Sequence, residues 1–264
     1  TDKQTICFFQ LMKQLFNIEG KVAIVTGGSR GIGEMIAHGF VENGARVYIT
    51  ARKAEDCLAT AERLSQFGEC IAIPGDMSTL QGITEFVSAF NAQEQTLDIL
   101  VNNAGATWGA SLREFPEAGW DKVIDLNLKS PFFLIQQLLG KLQQSATTED
   151  PARIINIASI NGLTNPGVEN YSYSASKAGL IHLTRHLSVT LAPEQINVNS
   201  IAPGFFPTKM MAHADIDAIA KSIPKGRAGQ PEDAAGAAIF LASRASAWVT
   251  GVTLPVDGGW VASA

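Results

Sequence analysis

A tyrosine and a lysine four residues apart, Tyr173 and Lys177, have the types and spacing that most directly suggest chemistry. Positions i and i+4 of a helix lie on one face, so the lysine ammonium can sit beside the tyrosine hydroxyl. A free tyrosine has a pKa near ~10, and a nearby cation lowers it by favouring the phenolate. The pair can therefore exchange a proton with an alcohol or ketone oxygen, although a solvated helix face explains most isolated pairs of this kind.

A glycine-rich turn near the amino terminus suggests a nucleotide site. Val22–Thr26 is predicted to be a strand, and Gly27-Gly-Ser-Arg-Gly-Ile-Gly33 follows it directly, where a helix begins. Glycines permit tight turning and close backbone approach, and the amides at a helix N-terminus bind a pyrophosphate. Because strand, loop and helix occur in this order, cofactor binding is favoured over an ordinary βα turn.

The end of the second predicted strand indicates which dinucleotide fits. The residues there are Thr50-Ala51-Arg52, with no carboxylate to accept hydrogen bonds from an adenosine ribose, as an NAD site needs. Arg52 can instead pair with a 2′-phosphate, and Arg30 of the glycine loop can join it. NADP is therefore predicted, with solvated surface arginines as the simpler alternative.

Strand-like apolar runs alternate with helical patterns along the chain, which predicts a parallel sheet with helices on both faces, a doubly wound Rossmann-type α/β fold. The predicted strands are Val22–Thr26, Arg46–Thr50, Cys70–Pro74, Leu97–Asn102, Arg153–Ile157, Ile196–Ile201 and Val252–Val256. The predicted helices lie near Ile32–Asn43, Ala54–Gln66, Leu80–Gln93, Gly119–Gln144, Tyr173–Leu191 and Pro231–Ser243.

The chain is predicted to be one domain, because no linker and no repeat interrupts this alternation. Residues 18–264 form the predicted oxidoreductase domain, and residues 1–17 an extension that suits a short amphipathic helix docked on the body. The least regular stretch, Gly204–Gly229, is long enough to be a functional loop over the substrate.

Composition excludes several classes of function. The chain has 264 residues, 46% hydrophobic and 17% charged, and a net charge of −5, so no nucleic-acid surface is indicated. No apolar run approaches the length of a membrane span. Its three cysteines form no Cys-x-x-Cys pair and are typical of a reducing compartment, so a cytoplasmic protein is expected.

Further polar residues follow the predicted strands, where the carboxyl ends of parallel strands form a ligand crevice. Asp76 follows the third strand, Asn102-Asn-Ala-Gly105 the fourth and Pro203-Gly204 the sixth, while Ser159 ends the fifth. Asn127 lies within a predicted helix. Any one of them could be a turn or cap residue, but their joint placement favours a site.

With these motifs together, the chain resembles the short-chain dehydrogenase/reductase superfamily over nearly its whole length from about Ile18. The resemblance implies that Tyr173 donates or accepts the proton, that Lys177 lowers the tyrosine pKa and holds the nicotinamide ribose, and that Ser159 polarises the carbonyl. Asn127 would support a water relay to Lys177. The residues expected to bind NADP(H) are Gly27, Ser29, Arg30, Gly31, Ile32, Gly33, Arg52, Asp76, Met77, Asn103, Ala104, Gly105, Tyr173, Lys177, Pro203, Gly204, Phe206 and Thr208.

The expected reaction is NADPH-dependent reduction of a ketone to a secondary alcohol. The glycine loop, Ala51-Arg52 and the C-terminal run ending at Trp260 resemble bacterial 3-oxoacyl-(acyl carrier protein) reductases, which implies a 3-oxoacyl thioester substrate. Sugar, polyol and xenobiotic ketone reductases carry nearly the same motifs and remain alternatives, as does a non-catalytic NADP-binding regulator. Candidate substrate-wall residues are Trp108, Phe205, Met210 and Met211, although ordinary loop packing accounts for them equally well.

Two other chemistries are disfavoured, and one assembly is implied. Ser159 lacks the Gly-x-Ser-x-Gly elbow of a serine hydrolase. His182 and His186 share a helix face without an acidic ligand motif, so no metal site is predicted. The family resemblance implies that the long apolar helices near 119–144 and 173–191 pack against other subunits, in a homotetramer.

Overall fold

Seven parallel strands run through the centre of the molecule, in the spatial order β3-β2-β1-β4-β5-β6-β7. The computed structural model describes residues 12, 14–209 and 215–263. Nearly every residue of β1, β4, β5 and β6 is buried, as expected for a parallel sheet covered on both faces. The strands are β1 Val22–Thr26, β2 Arg46–Thr50, β3 Cys70–Ala72, β4 Ile99–Asn102, β5 Ala152–Ile157, β6 Ile196–Pro203 and β7 Thr253–Val256.

Helices cover both faces of the sheet, which confirms the doubly wound α/β prediction. Successive strand residues point to opposite faces, so Val25 packs in the layer with Phe40 of the first helix, and Ile24 in the layer with Phe86 of the third. The described helices are α1 Gly31–Glu42, α2 Ala54–Leu64, α3 Leu80–Asn91, α4 Glu117–Ile124, α5 Ser130–Ser145, α6 Tyr171–Leu191, α7 Ile216–Ser222, α8 Pro231–Ala242 and α9 Trp260–Ser263.

The strand order reverses between β1 and β4, and this reversal creates the crevice that the site uses. From β1 the chain runs outward to β2 and β3, then crosses back to place β4 on the other side of β1. Loops after two strands that diverge in this way leave an opening at the carboxyl edge of the sheet. Gly27 follows β1 and Asn103 follows β4, so both lie at this opening.

The predicted helix Gly119–Gln144 is instead three segments, which corrects the sequence interpretation. A π-helical turn, Asp125–Lys129, separates α4 from α5, and its Ser130 N–H bonds to the Asp125 carbonyl. Pro131 has no N–H to give the carbonyl of Asn127, so the α-helical bond at this step cannot form. The proline therefore removes one α-helical bond directly after the turn that carries Asn127.

Other element bounds also differ from the sequence expectation; for example, β4 begins at Ile99 rather than Leu97, and β6 ends at Pro203 rather than Ile201. The stretch Gly204–Gly229 contains α7, whose N-terminus is capped by the Asp215 side chain, an acceptor 3.0 Å from the Ala218 N–H. The third strand ends at Ala72 rather than Pro74, although the Ile73 and Gly75 N–H groups still donate to the carbonyls of Ile49 and Ala51.

The described end of the N-terminal extension contacts the body of the protein. The Leu15 carbonyl accepts a hydrogen bond from the Ala245 N–H at 2.9 Å, and the Phe16 ring centre lies 6.4 Å from that of Phe240 on α8. Most of the helix predicted in residues 1–17 lies outside the described residues. Across the part of the chain that the structure describes, no helix is both long and apolar enough to cross a membrane.

Candidate active site

Tyr173 and Lys177 lie one turn apart on α6 and face the same cleft. The Lys177 Nζ is 5.6 Å from the centre of the Tyr173 ring. Lys177 is buried, and its ammonium donates a hydrogen bond to the Ile157 carbonyl at 2.7 Å. The end of β5 thus fixes the position of the lysine beside the tyrosine.

Ser159 stands at the end of β5, next to these two side chains. Its hydroxyl accepts a hydrogen bond from the Asn161 N–H at 3.1 Å and so caps a short 3₁₀ turn, Ile160–Gly162. Ser159 and Tyr173 line the same cleft, and the serine hydroxyl is near enough to act on the tyrosine pKa. The sheet edge and helix α6 therefore bring together the three residues that the sequence grouped.

Burial controls the titration of this pair. Burial raises the pKa of Tyr173, while a hydrogen bond with Ser159 acts in the opposite direction. Burial also lowers the pKa of Lys177 to about 8. The Lys177 ammonium is directed to the Ile157 carbonyl, and the expectation that this lysine lowers the tyrosine pKa stays a prediction.

Asn127 is held in the π-helical turn by its side-chain amide. Its Oδ1 accepts from the Ala106 N–H at 2.8 Å, and its Nδ2 donates to the Ala106 carbonyl at 2.9 Å and to the Ser176 hydroxyl at 3.0 Å. A Cβ placed on Gly105 would lie 3.4 Å from Asn127 Oδ1 and 3.7 Å from Lys177 Nζ, so both polar atoms border one small space. The water relay between them stays a prediction.

The glycine loop has the backbone geometry that a phosphate site needs. Gly27 and Gly31 adopt φ of 66° and 57°, a region that favours glycine. Helix α1 begins at Gly31 without a side-chain cap, so its first N–H groups are available to an anion. Asn103 braces the loop, because its Nδ2 donates to the carbonyls of Thr26 at 2.9 Å and Gly27 at 3.2 Å.

One cleft of about 560 Å³ unites the glycine loop with the tyrosine, lysine and serine. Of the residues predicted to bind NADP(H), all except Gly33 line it, and the predicted catalytic Asn127 lies buried behind it. The sequence interpretation missed a further set of lining residues, most of them next to a predicted one along the chain: Thr50, Ala51, Lys53, Asp56, Gly75, Ala106, Thr107, Lys122, Leu126, Ile157, Ala158 and Lys209.

The end of the cleft after β2 carries the charges relevant to an adenosine phosphate. Arg30, Arg52 and Lys53 supply three exposed cations there, and Asp56 one carboxylate. The buried Thr50 hydroxyl at the same end has no hydrogen-bond partner among the described residues. Because buried hydroxyls are normally bonded, this atom and the surplus of positive charge fit a polar, anionic ligand.

The predicted substrate-wall residues take different positions. Trp108 packs against Gly119 of α4, one residue beyond Thr107 of the cleft lining. Phe205 packs edge-to-face on Trp260, with ring centres 5.7 Å apart. Met210 and Met211 lie outside the described residues.

The chain is similar to known proteins over most of its length. A family model described as enoyl-(acyl carrier protein) reductase matches residues 27–261. The rhamnolipids biosynthesis 3-oxoacyl-(acyl-carrier-protein) reductase of Pseudomonas aeruginosa is 50% identical over 254 residues, with 94% of this chain and 99% of that protein covered. The 2-dehydro-3-deoxy-D-gluconate 5-dehydrogenase of Dickeya dadantii is 39% identical, with 94% and 98% covered.

The fold also superposes on a solved structure. The Pseudomonas aeruginosa RhlG/NADP active-site complex matches with a TM-score of 0.91 and 50% identity, covering 94% of this chain and 98% of that chain. The range matched by the family model includes every residue that lines the cleft. The similarity therefore covers the site as well as the scaffold.

Proposed function

The chain belongs to the short-chain dehydrogenase/reductase family, and from this premise we propose that it reduces the ketone of a 3-oxoacyl thioester to a secondary alcohol with NADPH. The observation that carries the proposal is the meeting of Tyr173, Lys177 and Ser159 in one cleft with the glycine loop. The 50% identity to a reductase named for 3-oxoacyl-(acyl-carrier-protein) supports the substrate class.

The cleft fits a phosphorylated dinucleotide. The glycine loop and the uncapped N-terminus of α1 would receive the pyrophosphate, and Arg30 and Arg52 the 2′-phosphate. Asp76 would contact the adenine, and Lys177 the nicotinamide ribose. NADPH supplies the hydride for the carbonyl carbon when bound, and the residues of the chain align the ketone and manage the proton.

Tyr173 is the proposed proton donor. Because burial raises its pKa, its hydroxyl carries a proton at neutral pH, the form that donates to a ketone oxygen during reduction. Ser159 would hydrogen-bond to the same oxygen and stabilise the negative charge that develops there. Lys177, with a pKa of about 8, is suited to return a proton toward the tyrosine, with Asn127 supporting the water path.

The proposal is tested by following NADPH oxidation with an acetoacetyl thioester, a keto sugar acid and an aryl ketone. We expect the highest kcat/KM with the thioester. No turnover of the thioester, with turnover of one of the other ketones, would reject the substrate class and keep the reaction.

A keto sugar acid is the second candidate substrate, supported by the 39% identical 2-dehydro-3-deoxy-D-gluconate 5-dehydrogenase. A non-catalytic NADP-binding regulator is the alternative from another class. It predicts NADPH binding without turnover of any ketone, so the same panel separates all three.

A homotetramer is the proposed assembly. Helices α5 and α6 together expose a shallow apolar groove that suits another subunit. Its lining includes Leu128, Phe132, Phe133, Gly179 and Leu183, together with Lys129, His182 and His186.

The proposed location is the cytoplasm, and the proposed domain organisation is an extension of residues 1–17 followed by one oxidoreductase domain. Cys57 and Cys70 are free thiols buried in the protein, as is common in reducing compartments. The contacts of Leu15 and Phe16 with the region of α8 support docking of the extension on the body.

A further inference from the structure

The cleft contains a lysine that the proposed mechanism does not use. Lys122 lies on α4 one turn before Leu126, and both residues line the cleft. The lysine is exposed, and none of the ion pairs among residues 12, 14–209 and 215–263 includes it. Its charge is therefore available to a ligand.

The ring of Trp108 lies against the ammonium group of this lysine. The Lys122 Nζ lies 5.2 Å from the centre of the Trp108 ring, a cation–π geometry. The ring can approach α4 this closely because residue 119 is glycine: a Cβ there would lie 2.7 Å from ring atoms. The indole thus forms a fixed platform that limits where the flexible lysine side chain points.

This platform belongs to a wall of the cleft that is fixed at both of its ends. The wall, residues 106–110, is tied at one end by the bonds between Ala106 and Asn127. At the other end the Ala110 N–H donates to the Glu169 carbonyl at 3.1 Å, four residues before Tyr173. The cations Arg30 and Arg52 belong to the glycine loop and to the end of β2 instead, so Lys122 on α4 is a positive site on a different element of the cleft.

We infer that Lys122, with Thr107, an exposed residue of the same cleft lining, binds a phosphate group on the carrier arm of the substrate. The inference rests on the proposed thioester reduction and deepens it. A 3-oxoacyl thioester has its ketone next to the thioester group, and the phosphate-bearing carrier arm extends from the sulfur away from the ketone. A lysine ammonium binds phosphate as a point charge, and an exposed hydroxyl adds a hydrogen bond to it.

The test uses two substrates with the same ketone: acetoacetyl coenzyme A, which bears phosphates, and the acetoacetyl thioester of N-acetylcysteamine, which bears none. In Lys122→Met we expect KM for the coenzyme A thioester to rise about two- to fivefold, the upper part of the range for an exposed ion pair, with kcat unchanged. Both constants for the neutral thioester and the NADPH Kd should stay at wild-type values. Lys122→Arg should restore most of the lost affinity.

The matched control is Arg113→Met, which removes the same charge from an exposed residue of the same region that does not line the cleft. Equal KM increases for both thioesters, or an equal effect of the control, would overturn the inference. A higher NADPH Kd in Lys122→Met would also overturn the inference, because the lysine would then bind the cofactor. If wild-type protein reduces neither thioester, the proposed function itself fails, a result distinct from these.

Discussion

The side chain of Lys177 lies in the protein interior, and this environment disfavours its charged form. The pKa is lowered from its usual value of 10.5 to about 8, because the ammonium is fully desolvated. Between these two values the unfolded chain binds more protons than the folded chain, so stability rises with pH in this window. Below pH 8 both states are protonated, and the full cost of the buried charge is present.

This difference in proton binding between the folded and unfolded chain predicts that Lys177→Met is more stable than wild type by an amount that depends on pH. Relative to wild type, the variant should gain stability below pH 8, and the gain should shrink between pH 8 and about 10 by an amount on the order of a few kcal/mol. Urea denaturation of both proteins without cofactor, at pH steps across this range, measures the difference. A difference that does not change with pH would show that Lys177 titrates in the folded protein as it does in water.

We expect Arg52 to determine the preference for NADPH over NADH. Replacing Ala51 with Asp and Arg52 with Ala removes a phosphate partner and supplies a ribose acceptor, so the kcat/KM ratio of NADPH to NADH should fall about tenfold or more. Arg63→Ala is the control, because Arg63 is an exposed cation on α2 that pairs with Glu34 and does not line the cleft. An unchanged ratio in the double variant would refute the phosphate contact.

Among the elements, the turn from β1 into α1 has little room for added atoms. Gly33 sits against Asn103 Nδ2 and the Gly27 carbonyl, and a Cβ would overlap both. Gly33→Ala should therefore cost about 1–3 kcal/mol of stability and weaken NADPH binding, because the loop must move to admit the methyl group. Thermal unfolding and cofactor titration give the two readouts.

Gly236→Ala is the matched control for that substitution. Gly236 lies inside α8 with nothing within 4 Å of the added Cβ. Alanine should stabilise this helix by about 0.5–1 kcal/mol and leave NADPH binding unchanged. If Gly33→Ala behaved like the control, the loop would be looser than its contacts indicate.

The elements also show what the sequence could and could not predict. The bounds of β1 and β2 were predicted to the residue, because buried parallel strands are apolar runs bounded by turn residues. The break at Asp125–Lys129 was missed although Pro131 signals it, since the apolar pattern continues across it. A lining residue such as Lys122 joins the cleft only through helix packing, which no local pattern records.

Beyond the cleft, the property of the whole molecule to be tested is how several copies of the chain assemble. Phe132 is partly exposed in the apolar groove between α5 and α6, so a charge there should disrupt the proposed tetramer. Phe132→Asp should sediment as a smaller species than wild type. Leu58→Asp places the same charge on an exposed leucine of α2 away from the groove and should leave the wild-type assembly intact. Identical sedimentation of all three proteins would exclude this groove as the interface.

The fold places one proton donor, Tyr173, where the cofactor and the ketone are proposed to meet. The substitution Tyr173→Phe tests that claim most directly. The substitution keeps the ring and removes only the hydroxyl. Single-turnover reduction of an acetoacetyl thioester should slow by about 1,000-fold, within the range for loss of a positioned acid, while the NADPH Kd stays unchanged. Reduction at close to the wild-type rate, with NADPH bound normally, would contradict the assignment of Tyr173 and with it the proposed mechanism.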